Sequence, residues 1–168
     1  MGSGKTSTGK ALAAKLGWPF ADLDDLIAED AGKSIPEIFE EGGEEAFRAL
    51  ELNALRRYLR SSASSRVLAL GGGTLMQSEA RQLVRESCKC VYLKAGAPAL
   101  YENLTWEGEA LKRPLLSQGK DLRGRIEELL AMREAVYESA ADLSVNVEHL
   151  APEQVADDIL KRLENLKQ

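Results

Sequence analysis

The sequence predicts an α/β fold of three layers, in which helices cover both faces of a parallel sheet. Short apolar runs alternate with segments of helical period along the 168 residues, and strands separated by helices form right-handed crossovers into a parallel sheet. A glycine-rich turn at the start leads straight into a helix, which is typical of phosphate-binding α/β folds. This length is the size of one domain, so residues 1–168 are expected to form a single domain.

The first part of the chain predicts two helices, a short strand and the start of a third helix. Residues 5–16 place three apolar side chains on one helical face, and residues 19–23 form a short apolar run. A short helix is expected over 25–31. Residues 34–37, Ser-Ile-Pro-Glu, form a capping box with Pro in the first turn, so another helix is expected to begin there.

The middle of the chain predicts two helices and two buried strands. Apolar residues recur at helical spacing over 43–61. The run 66–70 is apolar and ends in three glycines, as a buried strand leading into a turn does. A helix over 78–86 and a strand over 89–93 follow.

The last part of the chain predicts three helices and a strand around one irregular segment. Helices are expected over 98–105, 122–140 and 152–166, with a short strand over 143–147. Residues 106–120 have no clear period and contain two glycines and a proline, so this segment is predicted to be mobile.

Composition excludes some classes of partner. Lys and Arg total 22 against 27 Asp and Glu, a net charge of −5, whereas nucleic acids and anionic membranes require a basic face. No apolar run is long enough to span a bilayer, and the polar start is unlike a signal peptide. A cytoplasmic protein is therefore expected, with Cys88 and Cys90 as reduced structural thiols.

The most specific motif is Met-Gly-Ser-Gly-Lys-Thr at residues 1–6, which ends as the phosphate-loop pattern G-x-x-x-x-G-K-[ST] does. Glycines let backbone N–H groups surround phosphate oxygens, and the helix N-terminus adds partial positive charge there. Lys5 is expected to reach the β- and γ-phosphates, and the Thr6 hydroxyl to ligate Mg²⁺. The first Gly of the pattern would lie two positions before Met1, which leaves a glycine-rich tail before a helix as the alternative interpretation.

Asp22 and Asp24 follow a predicted strand with a spacing of two, which on a strand places both carboxylates on one face. Ligands bind at the carboxyl ends of strands in open α/β sheets. One carboxylate is expected to help hold Mg²⁺ through water, and the other to accept hydrogen bonds or a proton from a hydroxyl. The alternative is that both are turn and N-cap residues of the next helix.

Four further features are candidates for binding a small anion, and each has a structural alternative. Arg48 lies beside the apolar face of its helix and is either a ligand or a snorkelling surface residue. The turn at 71–73 either admits a ligand close to the backbone or is a plain turn. Arg113 and Arg133 are either ligands or solvated charges.

The order of these motifs resembles that of the shikimate kinase family over nearly the whole chain. The series is G-x-G-K-T, F-x-D-x-D, G-E-x-x-F-R-x-x-E, L-x-L-G-G-G, R-P-L-L and R-x-x-x-Y. The segment 32–39 also looks like that family. Other small P-loop kinases do not combine these motifs in this order, so the resemblance is specific.

The resemblance implies an ATP- and Mg²⁺-dependent kinase that phosphorylates the 3-hydroxyl of shikimate on the route to chorismate and the aromatic amino acids. It implies a P-loop kinase domain with a phosphate loop at 1–6, a substrate-binding helical region at about 24–60 and a lid at about 106–120. In that family the sheet has five strands, and the central one, which feeds the phosphate loop, is missing from this sequence. A monomer is expected.

The resemblance also implies a role for each matching residue. Thr6 and Asp22 lie at the Mg²⁺ site, while Lys5, Asp24 and Arg113 take part in catalysis. Asp24 bonds to the shikimate hydroxyls and acts as the base, and the lid residue Arg113 closes over the phosphates. The nucleotide is bound by Gly2, Ser3, Gly4, Lys5, Thr6, Ser7 and Arg113. Shikimate is bound by Asp24, Arg48, Gly71, Gly72, Gly73 and Arg133, the two arginines gripping its carboxylate.

Asn103 departs from this pattern, because it stands near where many relatives carry an arginine beside the adenine. Two alternative functions are also open. One is phosphorylation of another small metabolite, as in a protein resembling gluconate kinase. The other is a binding or structural module that keeps the ligand site without turnover.

Overall fold

The structure is a computed structural model that describes residues 2–61, 65–106 and 121–165. Within them four short strands alternate with seven helices and one 3₁₀ turn. The strands are β1 (Phe20–Asp22), β2 (Val67–Ala69), β3 (Val91–Lys94) and β4 (Leu143–Asn146); the helices are α1 (Lys5–Leu16), α2 (Leu23–Ala31), α3 (Ile35–Arg60), α4 (Ser78–Ser87), α5 (Ala97–Trp106), α6 (Leu122–Ala140) and α7 (Pro152–Asn165); the 3₁₀ turn is Thr74–Met76.

The predicted elements are present, with changes at their ends. The α1 and α6 helices have the predicted bounds, and the capping box at Ser34 is formed in both directions with Glu37. The two helix starts predicted at 34 and 43 belong to one helix, α3, which is interrupted at Gly43. The backbone there has φ 68° and ψ −170°, a region that only glycine populates readily.

The strands are parallel, as predicted, but in the described residues they form two separate pairs. The β1 strand pairs with β2, aligning Phe20 with Val67, and β3 pairs with β4, aligning Val91 with Leu143. A cavity of about 640 Å³ is lined by residues of both β2 and β3. No described strand joins β2 to β3, which agrees with the sequence analysis, where the central strand before the phosphate loop is missing.

Helices cover these strands and form three apolar clusters. Helices α1 and α7 pack together over β3 and β4, where Leu12, Val145 and Ile159 are buried. Helices α2, α3 and α4 enclose a second cluster around Leu23 and Leu55, and α5 and α6 form a third. None of the helices in these ranges combines the length and apolar character needed to cross a membrane. The packing leaves the carboxyl ends of β1 and β2 next to the start of α1.

Candidate active site

The phosphate loop enters α1 through two glycines in left-handed conformation. Gly2 has φ 64° and Gly4 has φ 71°, and a Cβ on Gly2 would lie 2.9 Å from the Leu100 carbonyl oxygen. Gly4 is the N-cap of α1 and provides no side chain to bond the first N–H groups. These N–H groups can therefore bind an anion.

Asn103, the departure noted in the sequence, holds this loop in place. Its side-chain amide donates to the Gly2 carbonyl oxygen at 2.7 Å. Helix α5 is thereby tied to the phosphate loop by a hydrogen bond that spans about a hundred residues of chain.

The side chains of Thr6 and Asp22 meet at the end of β1. The Thr6 hydroxyl donates to Asp22 Oδ2 at 2.7 Å, while Asp22 Oδ1 accepts from the Asp24 N–H at 3.1 Å. Asp22 is thus the N-cap of α2, as the alternative interpretation expected, and it is also a hydrogen-bond partner of Thr6 in the phosphate loop. A hydroxyl and a carboxylate at this distance are hard oxygen donors of the kind that Mg²⁺ takes.

The expectation that Asp22 and Asp24 share one face of a strand is wrong. Helix α2 begins at Leu23, two residues earlier than predicted, so Asp24 lies in its first turn. The helix nevertheless directs the Asp24 carboxylate to the turn formed by Gly71, Gly72 and Gly73, the glycine turn. A Cβ on Gly71 would lie only 3.1 Å from Asp24 Oδ1. A glycine is required there for the two to approach.

Arg48 lies on the other side of the glycine turn, in α3. Its side chain is 17% exposed, donates to Glu51 Oε2 at 2.7 Å and to Glu44 Oε1 at 3.1 Å, and stacks on the Phe47 ring. Burial opposes its charge, but the two carboxylates more than offset this and raise the pKa of the guanidinium. The guanidinium also fills the space beside Gly73 where a Cβ would lie. Arg48 is therefore not a snorkelling surface residue.

Glu51 is a site residue to which the sequence analysis gave no role. Its side chain is fully buried and accepts hydrogen bonds from Arg48, from the Thr74 hydroxyl at 2.6 Å and from the Gln77 side chain at 3.0 Å. The last glutamate of G-E-x-x-F-R-x-x-E was the available signal, because it lies three residues after Arg48 on the same helical face. Glu51 thus joins Arg48 to the 3₁₀ turn that follows the glycines.

Helix α6 brings Arg133 to the same turn. Arg133 Nη1 donates to the Gly72 carbonyl oxygen at 3.3 Å, and the Tyr137 hydroxyl donates to the same oxygen. Two ion pairs fix α6 to β3, where Lys94 contacts Glu134 at 2.9 Å and Glu138 at 2.6 Å. The glycine turn therefore lies between an arginine from α3 and an arginine from α6.

The remaining predicted site residues are partly described. Ser3 and Lys5 line the cavity next to β2, and Ser7 is exposed in the first turn of α1. Arg113 lies outside the described residues, as does the predicted lid after Trp106.

The chain is similar to known proteins over nearly its whole length. The family model described as shikimate kinase matches residues 1–164. The shikimate kinase of Dictyoglomus turgidum is 39% identical over 97% of this chain and 92% of its own length, and that of Synechococcus sp. (strain CC9605) is 42% identical over 100% of this chain and 81% of its own length.

A solved structure is similar to this chain as well. The shikimate kinase from Acinetobacter baumannii in complex with shikimate has a TM-score of 0.92 and 32% identity, covering 99% of this chain and 90% of its own. This likeness confirms the predicted three-layer α/β/α P-loop kinase fold. The chain belongs to the shikimate kinase family.

Proposed function

We propose that this protein transfers the γ-phosphoryl group of ATP to the 3-hydroxyl of shikimate at the site formed by Lys5, Asp24, Arg48 and Arg133. As a shikimate kinase it is a phosphotransferase that uses ATP and Mg²⁺ and acts on the route to the aromatic amino acids. The observation that carries the site is the glycine turn, because arginines from two helices and the carboxylate of Asp24 converge on it. Its relative from Acinetobacter baumannii binds shikimate.

The two arginines suit a substrate carboxylate. A carboxylate that binds two guanidinium groups gains charge-assisted hydrogen bonds worth about 1.5–3 kcal/mol each. Arg48 is held by Glu51 and Arg133 by the Gly72 carbonyl. They form the proposed grip on the acidic end of shikimate, and Gly71–Gly73 allow the ligand to approach the backbone.

Asp24 is proposed to act at the hydroxyl end of shikimate. Its carboxylate would accept a hydrogen bond from the attacking hydroxyl and take its proton as the oxygen bonds to the γ-phosphorus. The bond from that phosphorus to the β–γ bridging oxygen breaks, and ADP leaves with the electron pair. Phosphoryl transfer depends mainly on positioning and charge stabilisation, so Asp24 chiefly orients the hydroxyl.

The phosphate loop is the proposed binding site for the nucleotide. The N–H groups of residues 2–7 and the N-terminus of α1 favour anionic phosphates, and Lys5 would neutralise the β- and γ-phosphates. The resemblance assigns a similar role at the phosphates to the positive charge of Arg113. A closed lid would exclude water, which competes with shikimate as the acceptor.

Thr6 and Asp22 are the proposed protein groups at the Mg²⁺ site. No cluster of three or more His, Cys, Asp or Glu side chains suited to a metal occurs in the described ranges. Magnesium in kinases needs none, because substrate phosphates and water complete its shell. When bound, Mg²⁺ neutralises part of the phosphate charge.

The same proposal covers the domain organisation, the oligomeric state and the location of the protein. Residues 1–168 are proposed to form one domain with its substrate region at about 24–60 and its lid at about 106–120. The protein is proposed to act as a cytoplasmic monomer. A net charge of −5 agrees with a small-molecule substrate rather than with nucleic acid or a membrane as partner.

A substrate panel tests the function directly. ADP release is measured with ATP and Mg²⁺ in the presence of shikimate, gluconate or no acceptor, while shikimate binding is measured separately by calorimetry. We expect turnover with shikimate alone. Turnover with gluconate would indicate a different small-metabolite kinase, and shikimate binding without turnover would indicate a binding module.

Substitution of Lys5 tests the phosphate loop within this function. Lys5→Ala should lower kcat by about 100-fold or more, as expected when a charge that stabilises the transition state is lost, while shikimate affinity stays nearly the same. Lys10→Ala, an exposed lysine of the same helix, is the control and should keep its activity. Loss of shikimate binding without loss of turnover in Lys5→Ala would contradict the role of Lys5.

A further inference from the structure

The Gly72 carbonyl oxygen accepts hydrogen bonds from two side chains of the same helix. Arg133 and Tyr137 are four residues apart in α6, so they project from one face. The Arg133 guanidinium donates to the carbonyl at 3.3 Å, at the long end of the range for a hydrogen bond, and the Tyr137 hydroxyl donates to the same oxygen. The carbonyl therefore has two donors, one charged and one neutral.

Tyr137 is well suited to hold this position permanently. Its ring packs against Tyr92 with 5.3 Å between ring centroids, which fixes the side chain in place. Burial raises the pKa of Tyr137, although the nearby Arg133 lowers it. The hydroxyl therefore keeps its proton at neutral pH and remains a donor.

Arg133, in contrast, has two possible acceptors once substrate arrives. A carboxylate is a better partner for a guanidinium than a neutral carbonyl, because the bond is assisted by both charges. If Arg133 turns to the substrate, the Gly72 carbonyl keeps its bond from Tyr137. Without that hydroxyl, the move would leave a part-buried carbonyl unpaired, which costs free energy.

We infer that Tyr137 is a positioning residue, whose hydroxyl holds the Gly72 carbonyl so that Arg133 is released to bind the carboxylate of the substrate. The inference rests on the proposed role of Arg133. Tyr137 also restrains the direction of the Gly72–Gly73 peptide, since the carbonyl and the following N–H point in opposite directions across a trans peptide. The turn thereby keeps its shape beside Arg48, which lies against Gly73.

Tyr137→Phe removes the hydroxyl and keeps the ring on Tyr92. We expect the dissociation constant for shikimate and the KM for shikimate to rise about 5- to 15-fold, the size expected for one hydrogen bond. The KM for ATP and kcat should change less than twofold. Tyr92→Phe is the matched control, because it alters the other ring of the pair and should leave both affinities unchanged.

A double-mutant cycle with Arg133→Ala separates positioning from simple packing. In the Arg133→Ala background no guanidinium has to leave the carbonyl, so Tyr137→Phe should weaken shikimate binding less than twofold. Equal losses in both backgrounds would overturn the inference. So would a rise in both KM values together with a lower melting temperature, which would indicate a structural role alone.

The cycle also distinguishes this inference from the proposed function. Shikimate affinity is measured by calorimetry, independently of turnover. A parent protein that neither binds nor phosphorylates shikimate would refute the proposed function. A parent that does both, with unchanged affinity in Tyr137→Phe, would refute the role of Tyr137 alone.

Discussion

Glu51 shows at the scale of a single residue how the fold prepares this site. A fully buried carboxylate is costly unless its oxygens are hydrogen-bonded, and Glu51 satisfies them with Arg48, Thr74 and Gln77. The charge that stabilises Glu51 is the guanidinium proposed to bind substrate. The same contacts therefore contribute to stability and to the orientation of Arg48.

Replacement of Glu51 should affect both properties. Glu51→Gln keeps the shape of the side chain but leaves Arg48 without a buried counter-charge, so we expect the free energy of unfolding to fall by about 2–4 kcal/mol. The KM for shikimate should rise as well, because the guanidinium is less firmly held. Urea unfolding and initial-rate kinetics measure the two effects.

The control for Glu51 is the second carboxylate on Arg48. Glu44 is 53% exposed, and pairs of this kind contribute about 0–1 kcal/mol. Glu44→Gln should therefore remain close to the parent in both measurements. Equal effects of the two substitutions would show that burial of Glu51 does not matter to the site.

The two cysteines give a pH-dependent prediction. Both are free thiols, and burial, with Asp142 next in effect, raises the pKa of Cys90 to about 11. Since only the thiolate reacts, a thiol with this pKa is roughly one part in a thousand ionised at pH 8, against about a quarter for an ordinary cysteine. Alkylation of the folded Cys88→Ser variant by iodoacetamide should be about 250-fold slower than that of a free thiol, and should accelerate up to about pH 11.

The unfolded protein provides the comparison for this rate. In urea Cys90 loses its buried surroundings, so its alkylation at pH 8 should approach that of a free thiol. Rapid labelling of the folded variant at pH 8 would contradict the raised pKa.

Residues also show where sequence reasoning reaches its limit. Thr6 and Asp22 were both singled out by short local patterns in the sequence, and their side chains are hydrogen-bonded in the structure. Glu51 and Tyr137 act on residues 23 and 65 positions away. Such contacts depend on how helices pack, so a motif can suggest these residues but cannot assign their partners.

At the scale of elements, the helices with local signals were predicted most accurately. Helix α6 has the predicted ends because its apolar period and its N-terminal Asp121 are encoded within the segment. The 3₁₀ turn Thr74–Met76 was not predicted, since Thr74 is held by Glu51 from another helix. Helix α2 begins earlier than predicted because Asp22, rather than Asp24, is its N-cap.

The interruption of α3 at Gly43 gives a prediction for an element. Gly43 has φ 68° and ψ −170°, and nothing lies within 4 Å of the position of a Cβ there. A side chain at this site would therefore act through backbone strain alone, which costs on the order of 1–3 kcal/mol. Gly43→Asn should lower the free energy of unfolding by that amount, as measured in urea.

Gly17→Asn is the matched control for Gly43. Gly17 ends α1 with φ 66° and ψ 28° and also has open space around the position of a Cβ. Asn tolerates this left-handed conformation far better than most residues do, so this variant should remain within about 0.5 kcal/mol of the parent. Similar losses at both positions would contradict the backbone explanation.

At the scale of the whole molecule, the two strand pairs leave a space between them. The cavity of about 640 Å³ is lined by apolar side chains from β2, β3 and the helices on either side, among them Leu12, Val67, Leu68, Val91, Leu93 and Ile159. In the described residues β2 pairs with β1 and β3 with β4. Each of β2 and β3 thus has a second edge whose backbone groups could pair with another strand.

We predict that a strand added in the space between β2 and β3 would stabilise this chain. The variant carries five or six Val, Ile and Leu residues before Met1, followed by Gly-Ala. The apolar run is chosen because strands buried on both faces are continuously apolar. The added Gly completes the phosphate-loop pattern. Burial of a few such side chains contributes on the order of 5 kcal/mol, so the melting temperature should rise by about 10 °C or more. An extension of the same length built from Gly and Ser is the control and should leave it unchanged. If both extensions gave the same melting temperature, β2 and β3 would not accept a strand between them. The phosphate loop would then depend on the contacts described above, such as the hydrogen bond from Asn103 to Gly2.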